Sequence, residues 1–415
     1  MLLKAISAAL SAVTSVVGLT VVMLFALDLL LRMVNPADAM GFNSVDLWGV
    51  PPRMQIARRS APDVVVLGSS LLLVLSEANP RRQYSSIHFP PYLQTRFRSA
   101  TGRDVTCVNL CSGLQMVSET FMNAQAAIDQ KDYPRVIVYG TTLRDFMDPD
   151  FTREWNCTSF ASTAPYVPVS PAVLGTLTSD QARLAFILCH YWYLYRDHGD
   201  FKTIMTALAK EALENLPLDQ PYYRLGSRNY QWAPQRDGFL WERWVPRNVE
   251  KLIESMYHTH PELVKKLELE RQAGVYKRGS EVTRLMGAHY FEALMAMCRQ
   301  KGIKLVVVNM PLGPETTAMV PPGLNSAFRG YLQEATTQYG IALIDLFQDP
   351  EFGGSDFKDS VHLNSLGARK LVDRIVSDLA AHHPDVLATM AAHADARAAN
   401  PKLKAEREAP YSQVP

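Results

Sequence analysis

Five short apolar runs recur along the chain, and each is rich in β-branched residues. The first is VVVLG at residues 64–68, and Ser69 and Ser70 follow it directly. Runs of this length and composition are typical of strands that are buried on both faces, as in a parallel sheet. The other four lie at residues 105–110, 136–139, 305–309 and 341–346.

Helical periodicity fills much of the space between these runs. In residues 281–300, apolar positions such as Val282, Leu285 and Leu294 share one face, and Gly302 follows as a typical end signal. Strands that alternate with helices predict an α/β domain of three layers with a parallel sheet. We expect this domain to span residues 61–385.

The alternation stops between residue 145 and about residue 280. This block holds five of the six Trp residues, and residues 201–216 have an amphipathic helical pattern. We therefore predict a helical insertion over one end of the sheet. Most of its aromatic side chains are expected to pack its own core, and some could line a substrate groove.

A stretch of 23 residues near the N terminus, residues 5–27, contains no charged side chain. As a helix it would cover about 35 Å, enough to cross a hydrocarbon core of about 30 Å. We predict a transmembrane anchor at residues 1–33 and a Pro-containing linker at residues 34–60. A cleaved signal peptide is the alternative, because Ala37-Asp38-Ala39 resembles a cleavage site. The positive charges around the stretch leave its orientation open.

Composition excludes several classes of protein. The chain has 42 Lys and Arg against 41 Asp and Glu, which argues against a nucleic-acid-binding protein. Its 47% hydrophobic residues exclude an intrinsically disordered chain. The tail from His382 is Ala-rich and then polar, and we expect a fraying helix followed by disorder, with the disordered tail at residues 386–415. Five widely spread Cys exclude a disulfide scaffold. Cys157 and Cys189 could still pair if the domain lies outside the cytoplasm.

Small and hydroxyl-bearing residues follow the apolar runs, where functional residues of parallel sheets gather. Gly68-Ser69-Ser70 follows the first run, Cys111-Ser112-Gly113 the second, and Gly140-Thr141-Thr142 the third. The last run leads to Asp359 and His362. A serine hydroxyl, backbone donors from Gly-containing loops and an Asp–His pair are the parts needed for acyl transfer through a serine ester.

Two other groups of polar residues suggest weaker candidates. His258 and His260 with Glu262 could indicate a metal site, but no further ligand has suitable spacing, so we predict neither a metal nor a cofactor. Arg144 and Asp145 follow the third run and are expected to form a structural ion pair. A role of this pair in binding an anionic sugar is the less favoured alternative.

The blocks around the serine, glycine and Asp–His positions resemble those of the SGNH (GDSL-type) hydrolases. VVVLGSS is similar to the first block of that family, which implies that Ser70 is the nucleophile. VNLCSGLQ is similar to the second, which implies that the Gly113 amide joins an oxyanion hole. DSVHLNSLGARKL is similar to the last, which implies that Asp359 and His362 complete a catalytic triad. The resemblance implies a flavodoxin-like α/β/α fold.

The resemblance covers roughly residues 61–147 and 281–380, and one block departs from it. The family has Gly-x-Asn in its third block, where the Asn side chain donates to the oxyanion, and this chain has Thr142 at that position. A Thr hydroxyl is shorter and can rotate, and removal of one such donor elsewhere lowers the rate by about 10²–10³. Either simple hydrolysis is weak here or another group fills the position.

A Gly-Ser-Ser block combined with an N-terminal anchor is similar to the membrane-bound branch of the family. That branch includes the D-alanyl transfer protein of teichoic acid synthesis and O-acetylation proteins of exopolysaccharides such as alginate. The likeness implies a serine-dependent O-acyltransferase that acts on an extracytoplasmic envelope polysaccharide or polymer, beside a membrane-bound O-acyltransferase as partner. A carboxylesterase or deacetylase of the same fold and a catalytically inactive scaffold remain as alternatives.

Overall fold

The computed structural model describes residues 15–34, 50–76, 78, 90–157, 159–196 and 261–400. The chain divides into two compact units, a smaller one of Met1–Leu47 with Ile187–Leu252 and a larger one of Trp48–Phe186 with Ile253–Pro415. The larger unit contains every strand of the sheet and every residue of the predicted site.

Five parallel strands form the sheet of the larger unit: β1 (Val64–Gly68), β2 (Cys107–Asn109), β3 (Val136–Thr141), β4 (Lys304–Asn309) and β5 (Ala342–Asp345). Their order in the sheet is β2-β1-β3-β4-β5. The α/β class predicted from the sequence is therefore confirmed, and all five predicted runs form strands. Strands β1 and β3 are buried along their whole length, which explains their unbroken apolar sequences.

The strand order reverses direction at β1, which pairs with β2 on one side and with β3 on the other. Gly68 at the end of β1 lies beside Gly140 of β3. The φ angle of Gly68 is +142°, and a Cβ atom there would lie only 2.5 Å from the carbonyl oxygen of Gly140. Glycine therefore permits this close approach of the two strand ends. Open parallel sheets bind ligands beyond the strand ends at such a reversal.

The helices contact one another in two groups within the larger unit. The helices are α1 (Val16–Val34), α2 (Val50–Ser60), α3 (Ser70–Leu73), α4 (Pro91–Thr101), α5 (Val117–Ile128), α6 (Arg144–Met147), α7 (Phe160–Thr163), α8 (Pro171–Thr176), α9 (Asp180–Tyr191), α10 (Tyr193–Arg196), α11 (Pro261–Arg278), α12 (Glu281–Lys301), α13 (Pro314–Met319), α14 (Pro322–Tyr339), α15 (Ser365–His382) and α16 (Pro384–Ala398). One group is α4, α15 and α16, and the other includes α2, α5, α6, α7, α12 and α14. Short 3-10 turns lie at Val74–Ser76, Pro149–Phe151, Glu154–Asn156, Ala164–Tyr166 and Gly354–Asp356.

Helix α12 matches its predicted span but not its predicted face. The helix ends at Gly302, whose left-handed backbone conformation caps the last turn as expected. Val282 and Leu285, predicted to share a face with Leu294, are each 60% exposed, whereas Leu294 is buried. The ring of Phe291 packs against Phe146 with centroids 5.6 Å apart, so contacts with α6 decide which face of the helix is covered.

The linker predicted to have little regular structure is partly helical, so that prediction was wrong, and the helix predicted at the start of the tail extends into residues expected to be disordered. Residues 50–60 of the predicted linker form α2, which packs against α5 and buries Met54. Part of the predicted disordered tail forms α16, where Arg397 donates from Nη2 to Asp63 Oδ2 at 2.7 Å. The physical reason is that both segments bury apolar side chains at helical spacing, so tertiary packing offsets their weak local signals.

The described parts of the predicted insertion at residues 145–280 contain helices and 3-10 turns and no strand. They include α6 to α10 before residue 197 and α11 after residue 260. The helix predicted at residues 201–216 lies outside the described residues.

The smaller unit contains α1, which covers the described part of the predicted anchor. Asp28 of α1 pairs with Arg32 at 2.8 Å and accepts a hydrogen bond from the Leu194 backbone at 2.8 Å. The ring of Phe25 stacks on Trp192 with centroids 6.0 Å apart. Residues 1–14 lie outside the described part of the chain. Among the described residues, no helix is both long enough and apolar enough to cross a membrane.

Candidate active site

The predicted nucleophile lies where the chain turns from β1 into α3. Ser69 precedes the helix and is buried, and Ser70 occupies its first position and is partly exposed. The backbone N–H of a first helical residue has no acceptor within its own helix. The Ser70 N–H also has no acceptor among the other described residues, so it is available to a ligand.

Three of the predicted site residues are joined by hydrogen bonds. His362 Nε2 lies 2.8 Å from Ser70 Oγ, although the two residues are 292 positions apart. His362 Nδ1 lies 2.8 Å from Asp359 Oδ2. Both partners come from the loop between β5 and α15, which the sheet places beyond the carboxyl end of β1.

The buried carboxylate of Asp359 defines the orientation of the imidazole. Its Oδ1 accepts from the backbone N–H groups of Val361 at 2.9 Å and His362 at 2.6 Å. Burial alone would raise the pKa of Asp359, but these hydrogen bonds and the His362 ring lower that pKa to about 2. An ionised Asp359 can only accept, so it favours the proton on Nδ1 and leaves the Nε2 lone pair facing Ser70.

Hydrogen bonds on both sides hold the loop that carries Asp359 and His362. Asn364 caps α15, since its side-chain oxygen accepts from two backbone N–H groups of the first turn at 3.0 and 3.1 Å. Its amide group donates to the Ser355 carbonyl at 2.7 Å. On the other side, the Ser360 carbonyl accepts from the Gly313 backbone at 3.1 Å and from Thr316 Oγ1 at 2.8 Å. These hydrogen bonds fix the conformation of the loop and so the position of His362.

A cleft of about 140 Å³ opens beside Ser70 and His362. One part of its lining is apolar and the other part is cationic or polar. The apolar lining residues are Leu71, Leu114, Leu312 and Val361. The remaining lining residues are Ser69, Ser70, Thr142, Arg144, Arg271, Gln272, Tyr276 and His362.

Thr142 lines this cleft, at the position where the resemblance expects an oxyanion donor. Its backbone N–H donates to Asp145 Oδ2 at 3.0 Å and is therefore occupied. Its hydroxyl has no hydrogen-bond partner among the described residues, so the hydroxyl is the group that Thr142 can offer to a substrate. Gly113 lies in the turn after β2, and its neighbour Leu114 rather than Gly113 is among the described residues that line the cleft.

The sequence indicated only one of the two cationic lining residues: Arg144 was considered for binding an anionic sugar as the less favoured alternative, and Arg271 was missed. The predicted ion pair between Arg144 and Asp145 is present at 3.1 Å, but Arg144 also lines the cleft. Arg271 of α11 reaches Asp148 at 3.3 Å and lines the same cleft. Helix α11 carries charged residues at many positions, so no local pattern distinguishes Arg271 from its neighbours.

The other candidates have no part in this arrangement. All five Cys are buried free thiols, so Cys157 and Cys189 are not bonded to each other. Burial raises the pKa of the Cys111 thiol, which makes it a poor nucleophile. The described part of the chain contains no group of three His, Cys, Asp or Glu side chains suited to a metal, and His258 and His260 lie outside that part.

No protein-family model matches the chain, and no curated protein shows detectable similarity to it. The chemistry open to the site therefore follows from its own geometry. A serine hydroxyl bonded to an imidazole, with a buried carboxylate behind the ring, can form and release an ester.

Proposed function

We propose that the protein is a serine-dependent O-acyltransferase that carries the acyl group on Ser70. The observation that supports this most strongly is the hydrogen-bonded chain of Ser70, His362 and Asp359 beside an open cleft. The same relation of hydroxyl, imidazole and carboxylate activates serine on unrelated folds. The two groups of helices around a parallel sheet support the three-layer SGNH-like fold that the sequence blocks imply.

In the first half-reaction, Ser70 Oγ attacks the carbonyl carbon of an acyl donor. His362 Nε2 accepts the serine proton as the new C–O bond forms. The tetrahedral intermediate then collapses, and its bond to the leaving oxygen breaks. His362 returns the proton to that oxygen, which leaves an acyl ester on Ser70 and a free alcohol.

In the second half-reaction, the hydroxyl group of the acceptor takes the place of the departed alcohol. His362 removes the proton of the acceptor hydroxyl while the acceptor oxygen attacks the acyl carbon of the Ser70 ester. Collapse of this second intermediate breaks the bond to Ser70 Oγ, which recovers its proton from His362. If water takes the acceptor's place, the same steps amount to ester hydrolysis.

The negative charge that develops on the carbonyl oxygen needs donors in the cleft. The Ser70 N–H and the Thr142 hydroxyl are both without partners among the described residues, and we assign them this role together with the predicted Gly113 amide. Donors of this kind stabilise the transition state more than the ground state.

The acceptor and the location are proposed from the sequence. The resemblance favours hydroxyl groups of an envelope polysaccharide or polymer outside the cytoplasm, with a membrane-bound O-acyltransferase as the partner that supplies acyl groups. The uncharged stretch at residues 5–27 favours attachment to the membrane through residues 1–33. A carboxylesterase or deacetylase differs only in using water as the acceptor.

The test is to detect and discharge the acyl-enzyme. Full-length protein is mixed with p-nitrophenyl acetate, and p-nitrophenol release and the mass of the peptide that contains Ser70 are measured with and without an acceptor polysaccharide. We expect an acetylated Ser70 that the polysaccharide discharges faster than water. Ser70→Ala should lower the rate by at least about 10³-fold.

Ser377→Ala, which removes a hydroxyl from helix α15 away from the cleft, is the matched control and should retain the wild-type rate. Discharge by water at the same rate with and without the polysaccharide would identify an esterase. If Ser70→Ala and His362→Ala both retain the wild-type rate, and polymer acylation in cells is unchanged, the acyltransferase and esterase proposals are excluded. The catalytically inactive scaffold is then the alternative that remains.

A further inference from the structure

Two guanidinium groups from different helices meet in the wall of the Ser70 cleft. Arg144 of α6 donates from Nε to Asp148 Oδ2 at 3.1 Å and from Nη1 to Asp145 Oδ1 at 3.1 Å. Arg271 of α11 donates from Nη2 to the same Asp148 oxygen at 3.3 Å. Both arginines line the cleft with Ser70.

Most of the donor capacity of this pair is unused. A guanidinium carries five N–H donors, so the two together have ten, and the described residues accept from three of them. Arg144 Nη2 is buried and makes no hydrogen bond, although it lies 3.1 Å from Asp148 Oδ2. The side chain of Arg271 is 33% exposed and lines the cleft.

The arrangement presents cations to the cleft and keeps the carboxylates behind them. The side chains of Asp145 and Asp148 are 1% and 0% exposed, and neither residue lines the cleft. The charges of two carboxylates balance those of two guanidinium groups, so this wall of the cleft buries no net charge. The ring of Phe151 lies 5.8 Å from the guanidinium of Arg144, which further restricts its position.

We propose that Arg144 and Arg271 bind an anionic oxygen group, a carboxylate or a phosphate, on the alcohol part of the substrate. This inference rests on the proposed acyl transfer at Ser70. The apolar lining of the cleft suits the acyl chain, so the cationic wall is left for the sugar or polyol that bears the ester. Guanidinium groups match the paired oxygens of carboxylates and phosphates and form short, charge-assisted hydrogen bonds with them.

Binding is measured first in full-length Ser70→Ala protein, so that no ester is turned over. Oligogalacturonate supplies carboxylates, oligomeric glycerol phosphate supplies phosphates, and xylo-oligosaccharide of equal length is neutral. Calorimetry should show tighter binding of one of the two anionic probes than of the neutral one. Adding Arg271→Gln should weaken that binding about tenfold to a hundredfold and leave the neutral probe unchanged.

A second measurement uses protein with Ser70 intact and acetylated forms of the same probes. Arg271→Gln should raise KM for the anionic ester with a much smaller change in kcat, since Arg271 contacts the alcohol part rather than the reacting atoms. Arg271→Lys should recover more of the phosphate binding than of the carboxylate binding, because Lys still binds phosphate as a point charge although it lacks the planar fork of Arg. The anionic probe that binds more tightly identifies which anion the wall prefers.

Arg103→Gln is the matched control, because Arg103 is an exposed arginine that pairs with Asp395 outside the cleft. Equal affinity for anionic and neutral probes, or an equal loss in Arg103→Gln, would overturn the inference. If Ser70 is acylated while Arg271→Gln changes nothing, only this inference fails. If the anionic probe binds as expected and Ser70 is never acylated, the acyl-transfer proposal fails and the anion site remains.

Discussion

Replacing Asp359 by Asn tests whether His362 acts as a base toward Ser70, because the change keeps the shape of the side chain and removes its charge. The Asn oxygen can still accept from the backbone N–H groups of Val361 and His362. Its NH₂ group then faces His362 Nδ1, and since that group can only donate, Nδ1 must become the acceptor. The ring proton moves to Nε2, and the atom 2.8 Å from Ser70 Oγ loses its lone pair.

The expected magnitude follows from the wrong tautomer. The equivalent change in a serine protease triad lowers kcat by about 10⁴, which corresponds to about 5 kcal/mol of activation free energy. Stability should fall as well, because the pKa of Asp359 is about 2 in the folded protein against 3.8 for an unperturbed Asp. That difference is linked to about 2 kcal/mol of folding free energy. Because the folded pKa is the lower one, this stabilisation is present above pH 4 and is lost between about pH 4 and pH 2.

The assay compares p-nitrophenyl acetate turnover and urea unfolding of full-length wild-type and Asp359→Asn protein. The kcat should fall by about 10⁴, and the difference in unfolding free energy should shrink between pH 5 and pH 2. The control is Asp63→Asn, since Asp63 is another buried carboxylate whose Oδ1 lies 2.8 Å from a histidine, His393. The Asp63→Asn protein should be less stable than wild type but should retain the wild-type kcat. A folded Asp359→Asn protein with kcat within tenfold of wild type would refute the assignment of His362 as the base.

Two further perturbations probe the oxyanion donor and the packed C-terminal helix. Thr142→Val removes the hydroxyl that lines the cleft and should lower kcat by about 10²–10³ with little change in KM, whereas Thr142→Asn should retain a donor. Equal kcat in all three proteins would show that this hydroxyl does not stabilise the oxyanion. Burial alone would raise the pKa of Asp63, but the hydrogen bond from His393 and the charge of Arg397 lower that pKa below 3.8. The contribution of the ionised Asp63 to folding stability should therefore be lost as the pH falls below that value. The gap in urea midpoint between wild type and Asp63→Asn should therefore narrow from pH 5 to pH 3, and a constant gap would contradict the role of Arg397 and His393.

Elements whose physical signal is local could be predicted from the sequence. A strand buried on both faces needs a continuous apolar run, so the five strands could be predicted from the apolar, β-branched runs along the chain. The carboxyl ends of parallel strands meet at one edge, so residues as distant as Ser70 and His362 could be expected near each other. The cap at Asn364 was likewise predictable, because it depends on residues of the next helical turn.

Features that depend on which surfaces pack together could be seen only in the folded protein. Arg397 of helix α16 bonds to Asp63, which lies more than 300 positions earlier and just before β1. No local sequence pattern in the tail indicates such a contact. The covered face of α12 was set by Phe146 and its neighbours rather than by the apolar periodicity of α12 itself. Arg271 reaches the cleft only because α11 places it beside Asp148. Charged side chains at regular helical spacing look alike in sequence, and only their burial and partners show which one faces a site.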